Sequence, residues 1–102
     1  MRILVFFDLP TNNKKERKEA SKFRKFLLSD GYDMLQFSVY VRICKGADAI
    51  EKHRKHILLK LPSKGSIRFL ALTNDTYERM ENLLGAFTKN EREKGSKQLL
   101  LF

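Results

Sequence analysis

The chain has 102 residues, 42% of them hydrophobic, with eight Phe but only five Gly and two Pro, and twenty-one Lys and Arg against twelve Asp and Glu leave a net charge of +9. This length makes one domain rather than two, able to hide roughly 65% of its unfolded surface, and the composition excludes an extensively disordered chain. Cys44 is the single cysteine, which excludes an intrachain disulfide or a cysteine-based zinc site and suits a reducing cytosol.

Residues 3–7, Ile-Leu-Val-Phe-Phe, form a short apolar run that stops at Asp8. The run is too short for a signal-peptide core or for the roughly 20 residues of a membrane span, so the expectation is a cytoplasmic protein, neither exported nor embedded. It reads as a central strand over 2–8, apolar on both faces. Pro10 stops the strand, Thr11 to Asn13 supply capping oxygens, and a helix is expected from Lys14 to Asp30, ended by Gly31. Its core stripe is Ala20, Phe23, Phe26 and Leu27, while Lys14, Lys18, Lys22 and Lys25 make a ridge on the other side, about 40° to 80° apart on the helical wheel.

Residues 34–44 are strand-like throughout and long enough to fold into two short strands around Gln36 to Ser38. A second helix is expected over 47–61, packing Ile50, Ile57, Leu58 and Leu61 inward until Pro62 ends it. A strand over 67–73 follows, read as buried on both faces apart from Arg68, then a short helix from a cap at residues 73–75 to Leu84. The order is β α β β α β, an α+β fold of the ferredoxin-like kind, with an appended C-terminal strand. We therefore expect a core domain over 1–85 and, over 86–102, a polar linker leading to Leu99, Leu100, Leu101 and Phe102. Four apolar residues in that position need cover, and a strand docked on a partner subunit's sheet is the simplest one.

Asp8 is the first candidate for chemistry because it stands where the chain leaves the core. It serves equally as a turn aspartate capping local amides. A divalent metal needs several oxygens, and one Asp8 per chain makes a weak site. Two chains paired about a two-fold axis would present two facing Asp8 carboxylates, able to hold Mg²⁺ or Mn²⁺ and activate a water against a phosphodiester, or to share a proton without metal.

The net charge favours nucleic acid as partner. Asn13, Lys14, Lys15, Arg17 and Lys18 gather at the start of the first helix, where cations oppose the helix dipole and bound phosphate would relieve the conflict. Glu16 and Glu19 count against this, since they can pair with neighbouring bases. Ser38 can bond a phosphate or its own neighbour's backbone. Arg42, Lys45, Lys64 and Arg68 extend the positive charge. His53 and His56, three residues apart on the second helix, are a poor zinc pair without further ligands and are read as surface residues.

The stretches VFFDLP at 5–10, KERKEASKFRKFLLSDGYDMLQFSVYVR at 15–42 and KGSIRFLALT at 64–73 together resemble the CRISPR-associated protein two family, and their spelling is most similar to members from Cas9-type, type II systems. The resemblance implies a symmetric dimer of ferredoxin-like subunits whose C-terminal strands pair across subunits. It implies Asp8 as the catalytic and metal-binding aspartate, with Mg²⁺ or Mn²⁺ shared between the two copies, in a family described as metal-dependent endoribonucleases or double-strand DNases. It further implies a scaffold in spacer acquisition that bridges dimers of the CRISPR integrase and supports duplex prespacer DNA. The nucleic-acid contacts are then Asn13, Lys14, Lys15, Arg17, Lys18, Ser38, Arg42 and Lys45, inferred from position. One rival is a free-standing Mg²⁺-dependent endoribonuclease like the interferase toxins, acting on RNA through Asp8. Another is a small-molecule regulatory domain, which requires an apolar ligand pocket.

Overall fold

A computed structural model describes residues 1–85 of the chain. Its elements are β1 (Arg2–Asp8), α1 (Lys14–Ser29), β2 (Asp33–Gln36), β3 (Val39–Ile43), α2 (Gly46–Leu58), β4 (Ser66–Leu72) and α3 (Asn74–Glu78). The expected linker and the Leu99–Phe102 strand lie outside the described residues.

The four strands form one antiparallel sheet in the order β2-β3-β1-β4, which is the ferredoxin-like arrangement. β1 is central because both of its faces are apolar. Ile3 and Val5 have no exposed surface, and they pack with Phe23 and Leu27 of α1, Tyr32, Tyr40, Cys44 and Ile57 of α2. Phe7 joins them through an edge-on contact with Phe23 and a stacked one with Tyr40. The helices therefore cover the sheet face that carries residues 3, 5 and 7.

Alternation sends Arg2, Leu4, Phe6 and Asp8 to the opposite face. The register sets Val41 and Leu70 beside Leu4, and Val39 and Arg68 beside Phe6. Among the described residues α3 meets this face: Arg2 Nε donates to Asn74 Oδ1 at 3.2 Å, and its guanidinium lies 4.5 Å from the centre of the Tyr77 ring. Leu70 keeps 48% of its surface exposed. The expectation that β4 is buried on both faces is thus corrected: β4 is an edge strand, and Leu70 lies on the face opposite α1 and α2.

Two helix ends fall short of the sequence reading. α2 stops at Leu58 rather than Leu61, and Leu58 and Leu61 are 52% and 50% exposed instead of packed inward. A residue before proline is disfavoured in helical geometry, and the chain leaves the helix ahead of Pro62 through a tight turn in which Lys60 N donates to Ile57 O at 2.9 Å. α3 ends at Glu78, six residues short of Leu84, since residues 79–85 have too few apolar positions turned to the sheet to stabilise more helix. The tight hairpin is where the sequence put it, with Ser38 at φ +63 in its turn.

Candidate functional site

Asp8 ends β1, exposed to solvent and paired in register with Ser66 of β4. The hairpin turn sits beside it, because Phe7 N donates to Ser38 O at 2.9 Å. Gly65 presses on the other side, where a Cβ would come within 2.7 Å of the Asp8 carbonyl oxygen. Backbone from two segments, the hairpin turn and residues 65–66, therefore fixes Asp8 while its carboxylate stays exposed to meet a ligand. Among the described residues Asp8 belongs to no group of three or more carboxylates, histidines or cysteines placed to share an ion. A single copy thus offers one carboxylate toward Mg²⁺, which fits half of a shared site and falls short of a complete one.

The start of α1 is capped by its own side chains. Asn13 Oδ1 accepts from Glu16 N at 2.9 Å, Glu16 Oε1 accepts from Asn12 N at 2.9 Å, and Arg17 Nη1 donates to Thr11 O at 3.3 Å. Two of the amides that would greet a phosphate are already used, so the anion-binding capacity here rests on lysine side chains rather than on the helix end. Lys14, Lys15 and Lys18 are exposed, and Lys22 and Lys25 continue the row.

Among the described residues neither glutamate forms an ion pair with that row. Glu16 serves the backbone. Glu19 turns toward Ser63, whose hydroxyl donates at 2.8 Å; this bond, helped by the charges of Lys15 and Lys64, holds its carboxyl below the usual range.

Ser38 is exposed at the hairpin tip next to Phe37, which is 88% exposed. Lys45 is exposed at the N-cap of α2 and makes no capping bond. Arg42 is differently placed. Its guanidinium donates to the carbonyls of Asp30 and Ile43 and lies 5.8 Å from the centre of the Tyr32 ring, so it is engaged in the corner where α1 meets β3.

That corner holds a group that sequence reasoning missed. His53 Nδ1 lies 3.0 Å from Asp30 Oδ2, and His56 Nδ1 lies 3.1 Å from Asp30 Oδ1. His53 is only 7% exposed, which corrects its reading as a surface residue. Two histidines at i, i+3 were visible in the sequence. The third member comes from the end of a different helix, and no spacing rule could supply it.

The family model described as "CRISPR associated protein Cas2" matches residues 1–80. The chain belongs to the Cas2 family. The CRISPR-associated endoribonuclease Cas2 of Acidovorax ebreus is 48% identical over 102 residues, the full length of both proteins. Its counterpart in Campylobacter jejuni is 46% identical over all of this chain and 71% of that protein. Among solved structures, Streptococcus pyogenes Cas2 at pH 6.5 superposes with a TM-score of 0.60 at 29% identity, covering 81% of this chain and 99% of that one. The Cas2 likeness confirms the ferredoxin-like fold and sets the chain in a family whose relatives are named CRISPR-associated endoribonucleases. No helix among the described residues is long and apolar enough to cross a membrane.

Proposed function

We propose that this Cas2-family chain is the adaptation subunit of a CRISPR system, of the Cas9-type by its spelling. In this reading it is a cytoplasmic homodimer that carries duplex prespacer DNA on its α1 lysines and bridges integrase dimers. The observation that supports it is the division of the sheet into two unlike faces. Helices cover one face and turn an uninterrupted lysine row outward. The other face keeps Leu70 and Ile43 about half exposed and ends at Asp8.

A second copy laid on that apolar face about a two-fold axis hides it from water and brings the two Asp8 residues toward each other. Mg²⁺ or Mn²⁺ held between the pair would supply charge neutralisation and an activated water. Asp8 holds its place through the Phe7–Ser38 and Gly65 contacts, and Ser38 offers a hydroxyl to a phosphate nearby. Lys14, Lys15, Lys18 and Lys45 contact the backbone without base preference, since lysine reads phosphate as a point charge. Asn13 and Arg17 position the helix start, and Arg42 belongs to the α1–β3 corner.

The name of the relatives favours a second reading, a metal-dependent endoribonuclease that acts alone through Asp8. Co-purification with the CRISPR integrase and a short forked duplex decides between them: a stable ternary assembly is expected, and failure to form one overturns the scaffold reading. An Asp8→Ala variant that loses cleavage yet still supports spacer acquisition points the same way, whereas loss of both favours the nuclease.

A further inference from the structure

We propose that Asp30, His53 and His56 form a binding site for a transition-metal dication of the zinc class, separate from any ion at Asp8. The three donor atoms already converge. Asp30 Oδ2 to His53 Nδ1 is 3.0 Å, Asp30 to His56 Nδ1 is 3.1 and 3.3 Å for its two oxygens, and all three ligand atoms lie within 4.8 Å of one another. Ligands about 2.1 Å from a tetrahedral ion stand about 3.4 Å apart, so small adjustments seat the metal. Two imidazole nitrogens and one carboxylate oxygen suit Zn²⁺, Co²⁺ or Ni²⁺ and not Mg²⁺, which prefers oxygen alone.

The surroundings call for a cation. Asp30 is the C-cap of α1, where the negative end of the helix adds to its own charge, and the last turn of α1 holds no basic residue. The imidazoles come from one face of α2, with their rings edge-on at 5.4 Å between centres. His53 and Asp30 side chains are 9% and 15% exposed, and that of His56 is 37% exposed, which leaves an entry path and a fourth position open to water.

Arg42 is the opposing charge, with Nη1 3.5 Å from His53 Nδ1. Its bonds to the carbonyls of Asp30 and Ile43 hold it on the backbone side of the carboxylate. Ile3, which pairs with Arg42 across the sheet, is five residues from Asp8, so the group lies roughly 16 Å along β1 from that carboxylate. A bound ion would tie the end of α1 to α2 beside β3 and brace the core away from the candidate nucleic-acid surface.

The test is titration of tag-free protein with Co²⁺ at mildly alkaline pH, where protons compete least for the ligands, followed by displacement with Zn²⁺. Expected are one ion per chain, the visible absorption of four-coordinate cobalt, and a rise in melting temperature with Zn²⁺. His56→Ala, a half-exposed position that leaves the core intact, and Asp30→Asn are expected to lose the absorption, while Asp8→Ala keeps it. Absence of saturable binding, or equal binding by His56→Ala and the unaltered protein, overturns the proposal. Because Asp8→Ala is read separately, failure here leaves the proposed scaffold role standing or falling on its own test.

Discussion

Replacing Gly65 by Ala probes the backbone that holds Asp8. Gly65 has φ +110, and an added Cβ would lie 2.7 Å from both the Asp8 carbonyl oxygen and Leu9 Cδ2. Leu9 Cδ2 can swing aside, but the oxygen belongs to the last pair of the β1–β4 ladder, Asp8 with Ser66. The dihedral strain costs of order 1–3 kcal/mol, and displacing the ladder end adds to it, so Gly65→Ala should destabilise by about 3 kcal/mol. Gly46 provides the control: its φ is +77, yet nothing lies within 4 Å of its Cβ position, which leaves only the left-handed penalty of about 1 kcal/mol. Urea unfolding at one fixed protein concentration reads both. With an m-value of about 1.5 kcal/mol/M the midpoint falls by roughly 2 M for Gly65→Ala and by about 0.7 M for Gly46→Ala. Equal shifts for the two variants would refute the argument that close approach to Asp8, and not φ alone, dictates glycine at position 65.

Burial, with a smaller contribution from the Asp30 charge, raises the Tyr32 phenol above its ordinary value near 10. The native state therefore holds the proton more tightly than the unfolded chain does, so this part of the stability is complete below pH about 10 and declines as pH rises above it. Among the described residues the buried Tyr32 hydroxyl has no hydrogen-bond partner, so Tyr32→Phe should gain about 1 kcal/mol at neutral pH and flatten the alkaline decline, as measured by urea midpoints at several pH values. Glu19 shifts the other way, and its contribution is present above pH about 4.5 and lost as pH falls through the lowered value; a Glu19→Gln variant should be weaker than the unaltered protein at neutral pH and equal to it in acid. Removing Lys14, Lys15 and Lys18 together should weaken duplex binding for all sequences and reduce the log-log salt slope by about 0.9 for each phosphate no longer neutralised, measured by fluorescence anisotropy across salt concentrations.

Local patterns carried most of the fold. β1 and the hairpin follow from dense β-branched and aromatic runs, and α1 from an apolar stripe closed by a capping asparagine and a glycine, so these elements needed no tertiary information. The end of α2 was misread because Leu58 and Leu61 look like core residues until the chain turns away before Pro62. β4 was read as buried because Leu70 and Leu72 are apolar, whereas exposure depends on what covers an edge strand. At the candidate sites, Asp8 was legible from its place at a strand end. The engagement of Arg42 and the meeting of Asp30 with two histidines were not, because each depends on how α1 and α2 come together in space.

With Glu19 hydrogen-bonded to Ser63, Lys14, Lys18, Lys22 and Lys25 form no ion pair among the described residues. These lysines follow one another at three- and four-residue intervals, and such like-charged neighbours strain a helix by about 0.2–0.5 kcal/mol each. If a polyanion settles along the row as proposed, this repulsion, about 1 kcal/mol in all, would be relieved. Occupancy by nucleic acid should therefore tighten the helix as well as the complex, so the unloaded fold is the looser of the two.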